Sequence, residues 1–157
     1  VIKGLGESIA VWQQCGESNR SAADEAWLGT RFSHCQRDDF IDDMATAYAW
    51  ADVVIARSGA LTVSELAATG TPSILIPLPH AIDDHQTHNA QVLTETGGAV
   101  MVTQSEATPE RIADRLEQWI QSPASLLEMA RRALGMITAN ATDEVVAVLT
   151  EVAHAND

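Results

Sequence analysis

The sequence predicts an α/β fold, a parallel sheet with helices on both faces. Three observations predict it. Strand-like and helix-like segments alternate from residue 8 to residue 103. Two of the strand-like runs, "DVVIA" (52–56) and "PSILIPL" (72–78), are continuously apolar, as strands covered on both faces are. Glycine, proline and capping residues punctuate the helical segments at their ends.

The elements follow in order. "SIAVWQQ" (8–14) reads as a strand, and "NRSAADEAWLG" (19–29) as a helix ending at Gly29. "FSHCQ" (32–36) is a weaker strand. "DDMATAYAWA" (42–51) is a helix, with Asp42 its expected N-cap. After "DVVIA" comes the helix "ALTVSELAATG" (60–70), with Gly70 just past its end. "PSILIPL" leads to the helix "DHQTHNAQVLTETGG" (84–98) and a fifth strand, "AVMVT" (99–103). Pro109 after Thr108 and Pro123 after Ser122 each open a helix, because proline suits the first helical position. Thr142 precedes a last helix, "DEVVAVLTEVAHA".

The 157 residues suffice for one domain with a real core, and 46% hydrophobic with 20% charged residues is a globular composition. Nine Lys and Arg against 22 Asp and Glu give a formal charge of −13. That balance repels phosphate backbones and argues against nucleic acid as a partner. No apolar stretch approaches the ~20 residues that span a bilayer. Cys15 and Cys35 form no metal-ligand spacing and read as reduced cysteines of a cytoplasmic protein. The first residue is Val1, so the chain is expected to begin inside a longer protein or after processing. Trp12, Trp27, Trp50 and Trp119 are expected in packing roles.

In open parallel sheets, ligands bind beyond the carboxyl ends of the strands. The segment "RSGALT" comes directly after such a strand. Gly59 allows close backbone approach, and the first N–H groups of the next helix lack internal partners and favour an anion. Arg57 and Ser58 add a cation and a hydroxyl. The competing reading is an ordinary turn with Arg57 paired to Asp52. Glu65 can look back into this crevice and accept a ribose diol; equally, Thr62 and Glu65 match a capping box. "PLPHAIDDHQTHN" gathers His80, Asp83, Asp84, His85, Gln86, His88 and Asn89 within ten positions. That density fits a sugar site, a metal site or a solvated loop whose Asp83 or Asp84 caps the next helix, and its spacing matches no known metal motif. Phe40 and Ile41 either flank a flat ring or staple onto the following helix.

The run "FIDDMATAYAWADVVIARSGALTVSELAATGTPSILIPLPHAIDDHQTHNA" closely resembles the C-terminal domain of the MurG family. These are the transferases that add N-acetylglucosamine to undecaprenyl-pyrophosphoryl-N-acetylmuramoyl-pentapeptide. The resemblance is dense over Phe40 to Asn89 and weaker toward both ends. It implies the C-terminal, Rossmann-like half of a two-domain GT-B glycosyltransferase, residues 1–157 being the domain that binds UDP-N-acetylglucosamine. It further implies that Phe40, Ile41 and Met44 form the uracil pocket and that Glu65 holds the ribose hydroxyls. Arg57, Ser58, Gly59, Ala60, Leu61 and Thr62 would line the diphosphate, and His85, Gln86 and Asn89 would face the sugar.

The family's C-terminal domain opens with a strand and a glycine-rich loop before its first helix. "VIKGLGESIAVW" resembles the end of that helix running into the next strand. The first strand is therefore expected to be missing, together with the N-terminal acceptor domain and its general base. The resemblance implies an inverting displacement with UDP leaving. There is no Asp-x-Asp, and neither a metal nor another cofactor is expected. The lipid-linked acceptor would be held by the N-terminal domain, at the inner face of the cell membrane. Two other functions fit the same residues: a nucleotide-sugar-binding subunit of a split glycosyltransferase, and a metal-dependent hydrolase using His80, Asp84, His85 and His88.

Overall fold

A computed structural model of the chain describes residues 9–30, 32–79 and 84–136. The expected last helix after Thr142 and the expectations about residues 1–8 lie outside them.

Strand β1 (Ala10–Gln14) is followed by α1 (Arg20–Ala26), β2 (His34–Asp38) and α2 (Met44–Trp50). Then come β3 (Val54–Ala56), α3 (Ala60–Thr69), β4 (Ser73–Leu75), α4 (His85–Glu95) and β5 (Ala99–Met101). Helices α5 (Pro109–Gln121) and α6 (Pro123–Leu134) close the described part, each with proline in its first turn. All strand pairs are parallel. β1 pairs with β2 in one sheet, and β3, β4 and β5 lie in that order in another, where a single sheet was expected.

The fold follows from alternation along β4. Ile74 and Leu75 are both fully buried, yet they belong to different cores because neighbouring strand residues face opposite ways. Leu75 packs with Tyr48, Val63, Leu66, Leu93 and Ala133, which places α2, α3, α4 and α6 on one face. Ile74 packs with Val102, Ile112 and Trp119, which places α5 on the other. Helices on both faces are therefore as expected.

Several expected boundaries move. The central strands are shorter than their apolar runs. Pro72 and Pro77 carry no N–H to give to a ladder, and β4 lies between them. Asp43, not Asp42, caps α2: its carboxylate accepts from the Thr46 N–H at 2.9 Å and the Thr46 hydroxyl at 2.6 Å. Helix α1 ends at Ala26, three residues before Gly29. Gly70 ends α3 as expected, in the left-handed region at φ 64°. Trp119 is buried in the α5 core, and Trp12 meets Trp50 edge to face at 5.9 Å.

Candidate functional site

The residues after β3 and β4 meet at the carboxyl ends of those strands. Helix α3 begins one residue after Gly59, which is extended at φ −62° and ψ 148°. The first intrahelical bond runs from Val63 N–H to the Gly59 carbonyl at 3.0 Å. Among the described residues, the N–H groups of Ala60, Leu61 and Thr62 meet no acceptor. They form the positive end of the helix dipole and suit an anion. A Cβ built on Gly59 would come no closer than 3.8 Å to another atom, the Thr62 hydroxyl oxygen. The glycine therefore leaves open space in front of these donors.

The capping box does not form. Its sequence pattern is present, but Gly59 occupies the cap position, so Thr62 sits inside the first turn. The Glu65 carboxylate goes elsewhere: its Oε2 accepts from the Tyr48 hydroxyl at 2.9 Å. Tyr48 is only 5% exposed. Burial, and after it the bond and charge of Glu65, push the Tyr48 phenol well above its ordinary value, so it stays a donor.

Arg57 is not paired with Asp52. Its guanidinium donates to the carbonyls of Ile76 at 3.1 Å and Pro77 at 3.2 Å, tying the loop after β3 to the loop after β4. Ser58 is fully buried and donates to the Gln86 carbonyl at 2.7 Å. Asn89 Nδ2 returns a bond to the Ser58 carbonyl at 3.1 Å, and Gln86 Oε1 accepts from the Leu78 N–H at 2.9 Å. Asn89 thus fixes the start of α4 to the loop after β3, and Gln86 fixes it to the loop after β4. Gln86 Nε2 and Asn89 Oδ1 carry no bond to a described residue. His85 opens α4 and is exposed.

In the loop after β2, Phe40 is 69% exposed and Ile41 only 8%. Phe40 is therefore no staple on α2, whereas Ile41 turns inward. Met44 packs against the core cluster that contains Tyr48. The Ile41 N–H donates to Gln14 Oε1 at 3.0 Å, which links the end of β1 to this loop.

Sequence reasoning missed two residues here, Tyr48 and Gln14. Tyr48 is the chain's one tyrosine and sits on an apolar helix; a hydroxyl there needs a partner, and that need was the available signal. Gln14 gave none beyond its place at the end of a strand. Among the described residues no three His, Cys, Asp or Glu side chains gather to hold a metal; His80 and Asp83 lie outside them. An open cleft of about 360 Å³ adjoins Arg57, but its other lining residues are Ile55, Ala56, Ile76, Gln104 and Ala107. None of these bears a charge to meet a diphosphate, so the crevice at α3 is the stronger candidate.

Known proteins match this chain in sequence and fold. Residues 2–145 match the model described as the glycosyltransferase family 28 C-terminal domain. The chain is 47% identical over 148 residues to a Shewanella amazonensis protein named UDP-N-acetylglucosamine–N-acetylmuramyl-(pentapeptide) pyrophosphoryl-undecaprenol N-acetylglucosamine transferase. That match covers 94% of this chain and 41% of the relative. A Pseudomonas putida protein of the same name is 53% identical over 119 residues, 76% of this chain and 33% of its own length. The crystal structure of Acinetobacter baumannii MurG superposes with a TM-score of 0.79 at 38% identity, covering 91% of this chain and 41% of that one. The glycosyltransferase VinC, solved with dTDP, shares the fold at a TM-score of 0.57 and 20% identity, over 85% of this chain and 32% of that one. The chain thus spans about two fifths of the curated relatives it matches.

Proposed function

Because the chain belongs to the glycosyltransferase family 28 C-terminal domain family, matched over residues 2–145, we propose that it is the donor-binding half of an inverting transferase. That enzyme moves N-acetylglucosamine from its UDP donor to a lipid-linked muramoyl-pentapeptide in peptidoglycan synthesis. Residues 1–157 form the UDP-sugar domain, and the acceptor site and general base belong to a separate domain. The parallel pairings β1-β2 and β3-β4-β5 suit two stretches of the doubly wound order 3-2-1-4-5-6.

The observation that carries this reading is the start of α3. Three unmet N–H groups there stand next to a carboxylate on the same helix. A diphosphate would accept from Ala60, Leu61 and Thr62, and Glu65 would accept from the ribose. Phe40, Ile41 and Met44 would seat the base, and His85, Gln86 and Asn89 the sugar. As the glycosidic carbon is displaced, charge grows on the departing UDP. Preorganised N–H groups and the helix dipole stabilise that charge where it develops. Arg57, held by two carbonyls, adds a fixed positive charge beside the same loop. The lipid acceptor would bring the complete protein to the inner face of the membrane. No helix among the described residues is long and apolar enough to cross one.

Calorimetry with the complete protein tests the reading. UDP and UDP-N-acetylglucosamine are expected to bind, and Glu65→Ala to weaken both by tenfold or more, since a charge-assisted bond contributes about 1.5–3 kcal/mol. Unchanged affinity in that variant would refute it.

A further inference from the structure

Tyr48 reaches Glu65 from a different element. Its ring is buried in the main core with Val63, Leu66 and Leu75, while its hydroxyl donates to Glu65 Oε2 at 2.9 Å. The ring is therefore fixed by packing, and the bond fixes the carboxylate in turn. Met44 lies four residues before Tyr48, so the two share one face of α2, and Met44 packs against the same cluster.

Each carboxylate oxygen has two lone pairs. The Tyr48 bond occupies one on Oε2, leaving Oε1 and the second pair of Oε2 for other donors. Two vicinal hydroxyls need both oxygens in a set plane. A long side chain free to rotate would lose entropy on being set there, whereas one already held has less to lose.

Resting on the assignment of Glu65 to the ribose, we propose that Tyr48 is a positioning residue that presents the Glu65 carboxylate to a cis-diol, and so makes the site select ribose over 2′-deoxyribose. Because Met44 and Tyr48 share one helical turn, α2 also couples the base pocket to the ribose-binding carboxylate.

The test compares UDP with 2′-deoxy-UDP by calorimetry on the complete protein, as wild type, Tyr48→Phe, Glu65→Asp and Glu65→Ala. Wild type is expected to prefer UDP about tenfold or more. Tyr48→Phe keeps the ring and is expected to lose about tenfold for UDP but less than threefold for the deoxy analogue, so that the preference collapses. Glu65→Asp leaves the core untouched and draws the carboxylate away from the phenol; the same collapse is expected. Equal weakening of both nucleotides in Tyr48→Phe would reduce Tyr48 to a packing role and overturn the proposal. So would a wild-type preference in either Tyr48→Phe or Glu65→Asp while Glu65→Ala still weakens UDP binding tenfold or more; in that case the donor site itself would stand. Undiminished UDP binding in Glu65→Ala would overturn both.

Discussion

The Ser58 hydroxyl donates to the Gln86 carbonyl at 2.7 Å, and Asn89 on the same helix donates back to the Ser58 carbonyl at 3.1 Å. Ser58 is fully buried. The loop that presents α3 is thereby locked to the first turns of α4, and the proposed diphosphate and sugar sides of the crevice are set relative to each other. Ser58→Ala removes a buried hydroxyl and its bond to the Gln86 carbonyl, which still accepts within α4, so the loss is that of one hydrogen bond, about 0.5–1.5 kcal/mol. A urea midpoint lowered with unchanged slope is expected. An unmoved midpoint would show that the latch does not stabilise the fold.

Two glycines separate folding from binding. At Gly59 an added Cβ meets nothing closer than 3.8 Å, and φ is ordinary. Alanine is a poorer cap than glycine but stiffens the unfolded chain, and the two effects oppose each other, so Gly59→Ala is expected to change stability by less than about 1 kcal/mol. It puts a methyl group beside the N–H donors, and UDP affinity is expected to fall at least tenfold. At Gly98 a Cβ would stand 2.8 Å from Ala133 Cα and 2.9 Å from its nitrogen. That is backbone, so α6 must shift, and Gly98→Ala is expected to lose about 1–3 kcal/mol as an overpacked site. Thermal melts of the pair, with UDP titrations of each, check both halves.

The α2 cap gives a signed pH dependence. The Thr46 hydroxyl, and then its backbone N–H, hold the Asp43 carboxyl below its ordinary 3.8. A carboxyl depressed on folding stabilises above its unfolded value, and that contribution is lost as pH falls through the folded value. Asp43→Asn keeps an acceptor for the N–H but no charge. Wild type is expected to be the more stable at pH 7, with the gap closing as pH drops below about 3.8. Denaturation curves at neutral pH and near pH 2 test this; a gap of equal size at both would exclude the charge as its source.

The helices and strands were legible in the sequence where the signal is local. "DVVIA" and "PSILIPL" announce buried strands by continuous apolarity, and Pro109 and Pro123 mark helix starts by backbone chemistry alone. The capping pattern, one of two readings of Thr62 and Glu65, fails for a physical reason. It counts three residues along the chain, but Glu65 is taken by a phenol 17 residues away, a contact only the folded core creates. The alternative pairing of Arg57 with Asp52 fails in the same way: the partners of Arg57 are carbonyls of the next loop, 19 and 20 residues on. Asp43 displaced Asp42 as cap because either aspartate satisfies the pattern and only the backbone's entry into α2 decides between them. The division into two sheets was not legible either, since strand order depends on pairing partners and not on any one strand's sequence.

A crystal structure of the complete protein with UDP is the decisive measurement for the donor site. Diphosphate oxygens are expected within hydrogen-bond distance of the Ala60, Leu61 and Thr62 N–H groups, with the ribose hydroxyls on Glu65 and the base between Phe40 and Ile41. A nucleotide bound in the open cleft by Ile55 and Gln104, or a diphosphate turned away from the start of α3, would contradict that assignment.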